Sequence, residues 1–172
     1  MTTTPIIIRD AERSEFPALA ALQARSWRDV YRGILQDAYL DDDMDEDFRQ
    51  RWAALQPSGN DKVLVAVQDV ILGFVTVWCQ PDPFIDNLHV EPGLRSKGIG
   101  QRLMQETASR LIRDGYTTMS LYVAAQNHRA RAFYERLGGS FGEVEHIHQA
   151  HGGSVHAIQV VWDDLTMVAA VS

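Results

Sequence analysis

Apolar and polar positions along this chain recur with two periods, and the points where the period changes mark the elements. Ile6-Ile7-Ile8 predicts an opening strand over 5–9. Phe16, Leu19, Ala20, Gln23, Trp27 and Val30 then follow helical spacing, with Pro17 tolerated in the first turn and Gly33 ending the run. A second helix is predicted over 45–55, stopped before Pro57-Ser58-Gly59-Asn60. Residues 62–67 and 71–78, rich in Val and aromatics and separated by Gln68-Asp69-Val70, predict a β-hairpin. A strand over 84–90 leads into a helix over 98–114, whose Leu103, Met104, Ala108, Leu111 and Ile112 form one stripe, with Gly115 as its stop. A strand over 117–123 and a helix over 127–137, closed by Gly138-Gly139, come next. Two last strands, near 141–148 and 155–161, flank a turn at Gly152-Gly153.

The resulting order is β-α-α-β-β-β-α-β-α-β-β. It predicts an α/β or α+β fold with a mixed sheet, not the strict βαβ alternation of a doubly wound dinucleotide fold. No repeat or low-complexity linker interrupts it, and 172 residues suffice for one sizeable core, so 1–172 is read as a single domain.

Charge and cysteine narrow the function. A formal net charge of −7 argues against a nucleic-acid partner, which calls for a basic patch, and weakly favours a cationic or amine substrate. Cys79, the single cysteine, excludes an intramolecular disulfide, points to a reducing compartment, and reads as a buried, inert thiol ending an apolar strand. The N-terminus lacks a basic, long apolar leader, and no stretch approaches the ~20 apolar residues that span a bilayer. A cytoplasmic protein with no membrane partner is expected.

The chemistry concentrates in Asn87-Leu88-His89-Val90-Glu91-Pro92-Gly93-Leu94-Arg95-Ser96-Lys97-Gly98-Ile99-Gly100, a strand running into a basic, glycine-punctuated turn that opens a helix. Glycines in a first helical turn leave N–H groups uncovered, and these, with the helix dipole and the Arg95 and Lys97 charges, make a receptor for a phosphate or diphosphate. Neither the dinucleotide pattern G-x-G-x-x-G nor the nucleotide-triphosphatase loop G-x-x-x-x-G-K-[ST] is present. What stands here is Arg-x-x-Gly-x-Gly after a Leu-x-Val strand, which resembles the acetyl-CoA pyrophosphate loop of the GNAT N-acetyltransferase superfamily. Taken alone, the glycines equally suit tight strand–helix packing.

A second block makes the resemblance specific. Asn127 followed by Ala130, Phe133, Tyr134 and Leu137, ending in Gly138-Gly139, resembles the strand–Asn–helix segment of the same superfamily. Those four apolar residues share one helix face, and Asn127 and Tyr134 project from one side ~10 Å apart along the axis. By themselves, Asn127 is a helix cap and Tyr134 a core aromatic. The element order matches the GNAT fold nearly end to end.

The resemblance implies that acetyl-CoA lies where two central parallel strands splay apart. On that pattern Leu88, His89 and Val90 bind the pantetheine arm through their backbone, and the turn Arg95, Ser96, Lys97, Gly98, Ile99 and Gly100 holds the pyrophosphate. Asn127 contacts cofactor or substrate, and Tyr134 stands beside the sulfur to protonate or hydrogen-bond the departing thiolate. It further implies direct attack of a neutral amine on the thioester, through a tetrahedral intermediate, with the oxyanion held by backbone N–H of the Val90 region. The amine must first lose a proton. Where some family members carry a Glu early in the fourth strand, this chain has Phe84 and then Asp86, so Asp86, His89 or a water chain is the candidate base. Alternation puts Asp86 and His89 on opposite strand faces unless a bulge intervenes.

Ser26-Trp27-Arg28-Asp29-Val30-Tyr31-Arg32-Gly33-Ile34-Leu35 resembles a W-x-x-x-Y-x-G-[IL]-L run of bacterial GNAT proteins, in which Trp27 and Tyr31 line the acceptor site; as plain helix residues they anchor helix to sheet. The acid run Asp41, Asp42, Asp43, Asp45, Glu46 and Asp47 reads first as a solvated helix N-terminus and second as a lure for a polyamine. His146, His148, His151 and His156 suggest a metal, but without a Cys partner or H-E-x-x-H they read as a polar hairpin face, and no metal is expected.

The leading expectation is an acetyl-CoA-dependent N-acetyltransferase acting on a small-molecule or protein amine. A catalytically silent acetyl-CoA-binding sensor or assembly module is the alternative, and a phosphate-binding protein of unrelated fold ranks third. Many members of the superfamily pair as dimers, so the resemblance admits a homodimer, although the sequence itself does not encode a readable oligomeric state.

Overall fold

A computed structural model describes residues 4–148 and 154–171 of the chain. Up to β7 the elements follow the predicted order: β1 (Ile7–Asp10), α1 (Phe16–Tyr31), α2 (Met44–Ala54), β2 (Lys62–Val67), β3 (Ile71–Trp78), β4 (Phe84–Val90), α3 (Ile99–Arg113), β5 (Met119–Ala124), α4 (His128–Arg136), β6 (Ser140–His148) and β7 (Ser154–Trp162), with a short α5 (Leu165–Ala169) after them. The seven strands form one sheet in the order β1-β2-β3-β4-β5-β7-β6, antiparallel except between β4 and β5. The mixed sheet predicted from the element order is the one observed.

Each face of the sheet carries its own apolar layer. On β2 and β3 the alternation sends Leu64, Ala66, Val75 and Val77 to one side and Val63, Val65 and Phe74 to the other. The first set packs beneath Ile99, Leu103, Met104, Ala108 and Leu111 of α3, and the second beneath Phe16, Leu19, Leu22, Phe48 and Trp52 of α1 and α2. Covering on both faces is why these strands read as near-continuous apolar runs.

Two features depart from the sequence reading. Ile112, assigned to the buried stripe of α3, is 37% exposed, while Thr107 takes a place in the buried face. The terminal helix α5 was not anticipated: five residues are too few to display a helical period, and Leu165 and Val168 are buried in the α3-side core. No helix among the described residues is long and apolar enough to cross a membrane.

The parallel pair β4–β5 positions the site. The two strands pair only at Phe84↔Ser120 and Ile85↔Leu121 and then separate. The separation begins where β4 carries an extra residue against β3: Thr76 faces Asn87 and Val77 faces Ile85, leaving Asp86 as a bulge. A bulged strand bends and twists more strongly, which carries the C-terminal half of β4 away from β5. The expected splay of the central strands is present.

Candidate active site

Beyond Ile85 and Leu121 the facing edges of β4 and β5 have lost their partners, and backbone donors and acceptors line a gap between two apolar walls. The gap is a cavity of about 440 Å3. Leu88, His89 and Val90 line it from β4, Val123 and Ala124 from β5, and Phe133 and Tyr134 from α4. Ser96, Gly98, Ile99, Gly100 and Gln101 close one end.

That end is the N-terminus of the 15-residue α3. Ser96 at φ 67° and Gly98 at φ 78° both adopt the left-handed conformation, turning the chain sharply just before the first helical residue. Glycine takes this conformation without strain. A Cβ on Gly98 would meet nothing within 4 Å, so backbone conformation, not crowding, calls for glycine there. The leading N–H groups of α3 have no intrahelical acceptor; Arg102 N is the first to reach back, to Gly98 O at 3.1 Å. Open amides at the positive end of a helix dipole are a donor set suited to a diphosphate. The strand gap, apolar in side chain and polar in backbone, suits a thin chain of amides and methylenes. The residues present therefore fit acetyl-CoA as co-substrate.

The charges near this turn are arranged differently from the sequence reading. The Arg95 guanidinium turns to α1, where Nη1 pairs with Asp29 and Nη2 donates to Ser26 Oγ at 3.1 Å. It braces the turn while also lining the cavity, whereas Lys97 is exposed and outside the cavity wall. The cation the sequence reading passed over is Arg129 of α4, which lines the cavity and donates to Ser96 Oγ at 2.7 Å. Its position after Asn127 in the second block was the available signal.

Ser26 was also missed. Its buried hydroxyl lies 2.9 Å from His89 Nδ1 and accepts from Arg95, an obligate donor. With Arg95 on its oxygen, Ser26 keeps its proton free for Nδ1, and we assign His89 as the neutral tautomer with its proton on Nε2. Burial, reinforced by the nearby Arg95 charge, pushes the His89 imidazole down to about 3. In that tautomer the one basic ring nitrogen, Nδ1, is engaged by Ser26, so His89 has no free lone pair to offer an ammonium ion.

The bulge answers the question left by strand alternation. With Asp86 as the extra residue, Phe84, Asn87 and His89 share the α1 side, and the Asp86 carboxylate joins them there: its Oδ2 accepts from Trp78 Nε1 at 3.0 Å and from Asn87 Nδ2 at 3.4 Å. Asn127 Oδ1 accepts from Ala130 N at 3.1 Å, so the residue caps α4 while lining the cavity. The Tyr134 ring is buried, 5.2 Å from Phe133 and 5.8 Å from Trp162, and burial, with the neighbouring Tyr31 phenol, raises its hydroxyl well above the usual range. Tyr31 is likewise raised by burial.

The Trp27 and Tyr31 rings meet at a tilt with centres 4.6 Å apart, and Trp27 also meets Phe48 edge-on at 5.0 Å, so Trp27 both anchors α1 and lines the cavity. A second cavity, of about 340 Å3, lies against α1 and α2. Trp27, Tyr31, Asp86, Asn87 and Tyr122 border both.

Other candidates resolve to structure. Asp41 pairs with Arg32, Asp45 with Arg28 and Glu46 with Arg49, so much of the acid run is neutralised locally. Cys79 is buried, donates to Asn60 O at 3.2 Å, and burial raises its thiol. His146 and His156 are cross-strand partners stacked at 4.8 Å, with His148 5.2 Å from His146; His151 lies outside the described residues. No group of three or more metal-ligating side chains among the described residues is placed to hold an ion.

Known structures share this architecture. The PaiA N-acetyltransferase of Thermoplasma acidophilum, solved with coenzyme A, aligns with a TM-score of 0.72 at 21% identity, over 90% of this chain and 98% of that one. The ribosomal-protein-S18-alanine N-acetyltransferase of Escherichia coli gives 0.67 at 19% identity, over 91% and 92%. YncA of Salmonella typhimurium, solved with its cofactor acetyl-CoA, gives 0.63 at 16% identity, over 92% and 93%. These likenesses concern the fold. No curated protein matches the sequence. The sequence model of the acetyltransferase (GNAT) family, however, matches residues 22–139, from the middle of α1 to the end of the α4 segment. The chain belongs to the GNAT family of acetyltransferases.

Proposed function

We propose that the protein transfers the acetyl group of acetyl-CoA to a primary amine by direct attack, with no covalent enzyme species. The observation that carries this reading is the meeting of two cavities at one border: Trp27, Tyr31, Asp86, Asn87 and Tyr122 belong to both walls. One cavity has the open helix N-terminus and the unpaired strand edges that suit a diphosphate-bearing thioester. The other opens onto the α1–α2 side, and Asp86 stands between them.

When bound, acetyl-CoA supplies the thioester carbonyl. The Asp86 carboxylate receives the incoming ammonium and takes its proton, directly or by way of water, leaving the nitrogen lone pair free. A main-chain N–H on the open edge of β4 near Val90 donates to the oxygen as negative charge develops on it. Tyr134, kept protonated by burial, hydrogen-bonds the departing sulfur. A phenol so raised is a weak acid, so its part is a hydrogen bond to the sulfur rather than outright proton transfer. Asn127 steadies the start of α4 and thereby Tyr134, about two turns further along the same face.

A catalytically silent CoA-binding module is not favoured, since a carboxylate and a phenol at the junction serve no purpose in mere binding. Calorimetry with acetyl-CoA, followed by thiol release on adding an amine panel, tests the proposal. Saturable acetyl-CoA binding together with amine-dependent thiol release is the expected result; absence of binding overturns the reading.

A further inference from the structure

The cavity between α1, α2 and the sheet restricts what the acceptor can be, an inference that rests on the acetyltransferase reading. Its walls are ring faces: Trp27, Phe48, Trp52, Trp78, Phe84 and Tyr122. Its polar floor is already satisfied from within. Trp52 Nε1 donates to Gln23 Oε1 at 2.7 Å, Gln23 Nε2 to Asn87 Oδ1 at 3.0 Å, and Asn87 Nδ2 to Thr76 Oγ1 at 3.1 Å. Among the described residues Asp86 is the one carboxylate in this wall and Arg51 the one cation. Arg51 Nε donates to Asp47 Oδ1 at 3.2 Å. Both hydrogen bonds to Asp86 fall on Oδ2, so Oδ1 has no protein hydrogen-bond donor among the described residues.

We propose that the acceptor is an arylalkylamine-type molecule: one primary ammonium, held on Asp86 Oδ1, carried by an apolar or aromatic body that packs among the rings, with no second charge. The chemistry of the wall separates this class from the others. A polyamine would bury its second ammonium against Trp27, Phe48 and Trp52 with no counter-ion, which is strongly unfavourable. The acid run lies outside this wall, and its Asp41, Asp45 and Glu46 already hold arginines. An amino acid would bring its own carboxylate beside Asp86. An aminoglycoside would desolvate many hydroxyls in a cavity where the Gln23, Trp52, Trp78 and Asn87 donors are already engaged. An arylalkylamine leaves no polar group unpaired, and aromatic faces around its ammonium add attraction. In the transfer the amine nitrogen forms a bond to the acyl carbon, the carbon–sulfur bond breaks, the thiol takes one proton, and the second ammonium proton leaves through Asp86 to solvent.

The test is steady-state thiol release by the full chain with phenethylamine and tryptamine, set against spermidine, free leucine, kanamycin and a short peptide with a free N-terminus. The expected kcat/KM for the two arylalkylamines is at least ~10-fold above the rest, the scale set by a few buried contacts. Transfer to spermidine, leucine, kanamycin or the peptide at equal or better efficiency overturns this inference and leaves the acetyltransferase reading intact. Failure of acetyl-CoA to bind in calorimetry overturns the reading itself. Phe84→Ala, at a half-buried position of the second cavity alone, should raise KM for phenethylamine by about 10-fold with KM for acetyl-CoA unchanged. Phe84→Leu should shift it in the same direction by less. An unchanged amine KM in both variants also overturns the inference.

Discussion

The hydroxyl of Ser26 on α1 sits 2.9 Å from Nδ1 of His89 on β4, and the Arg95 guanidinium closes the chain from the other side at 3.1 Å. One small side chain thus joins the helix that borders both cavities, the strand that borders the thioester slot, and the turn that precedes α3. Ser26→Ala removes both hydrogen bonds at once and leaves the buried Nδ1 unsatisfied, at a cost of about 1–3 kcal/mol. Chemical denaturation should record that loss. KM for acetyl-CoA should rise several-fold as the turn loosens, while Ser26→Thr restores most of both. In 15N spectra of the wild type, His89 should appear as the neutral Nε2–H tautomer at pH 7, a signature a purely space-filling role for Ser26 would not produce.

His89 also makes stability depend on pH, with a determined sign. Its imidazole is held down to about 3 by burial and the nearby Arg95 charge, against an ordinary 6.5. Below pH 6.5 the unfolded chain therefore takes up a proton that the folded chain refuses. The stabilising difference is present in full above 6.5 and is lost as pH falls toward 3, with a slope approaching ~1.4 kcal/mol per pH unit. Urea unfolding of His89→Gln across this range should show a shallower slope than wild type. Equal slopes would remove His89 as the source.

Tyr134→Phe deletes a hydroxyl for which no hydrogen bond is made among the described residues, and keeps the ring between Phe133 and Trp162. The melting temperature should change by little. Turnover at saturating acetyl-CoA should fall by about 100-fold, the lower range for a positioned acid. Full turnover in the variant would exclude the phenol from thiolate departure.

Arg129 and Lys97 make a matched pair for testing which cation serves the cofactor turn. Arg129 lines the cavity and holds Ser96, whereas Lys97 stands outside the wall. Arg129→Gln should weaken acetyl-CoA binding in calorimetry by about 10-fold, as expected for a charged hydrogen bond, and Lys97→Gln by far less. The reverse order would return the role to Lys97.

The glycine turn and the Asn127–Tyr134 helix were legible because each is a local pattern. The left-handed backbone at Gly98, the Asn127 cap and the buried face of α4 all follow from residues within a few positions of one another. The bracing contacts of Arg95 were not legible, for the same reason. Its neighbours in sequence are the turn, but its partners Ser26 and Asp29 lie on a helix more than sixty residues earlier, at separations of 69 and 66. Asp86 and His89 looked like alternatives because period-two alternation has no way to announce a bulge, which depends on the register β4 adopts against β3.

Hydrophobic period, caps and glycine turns act over a few residues, so the order of elements from β1 to β7, the mixed sheet and the family were legible in the chain alone. Only the tertiary structure decided which charges face the cavity and which brace it, how the bulge at Asp86 parts β4 from β5, and where two cavities share a wall. Those outcomes depend on which distant segments are packed together, and burial, which silences His89 and raises Tyr134, exists only after that packing is complete.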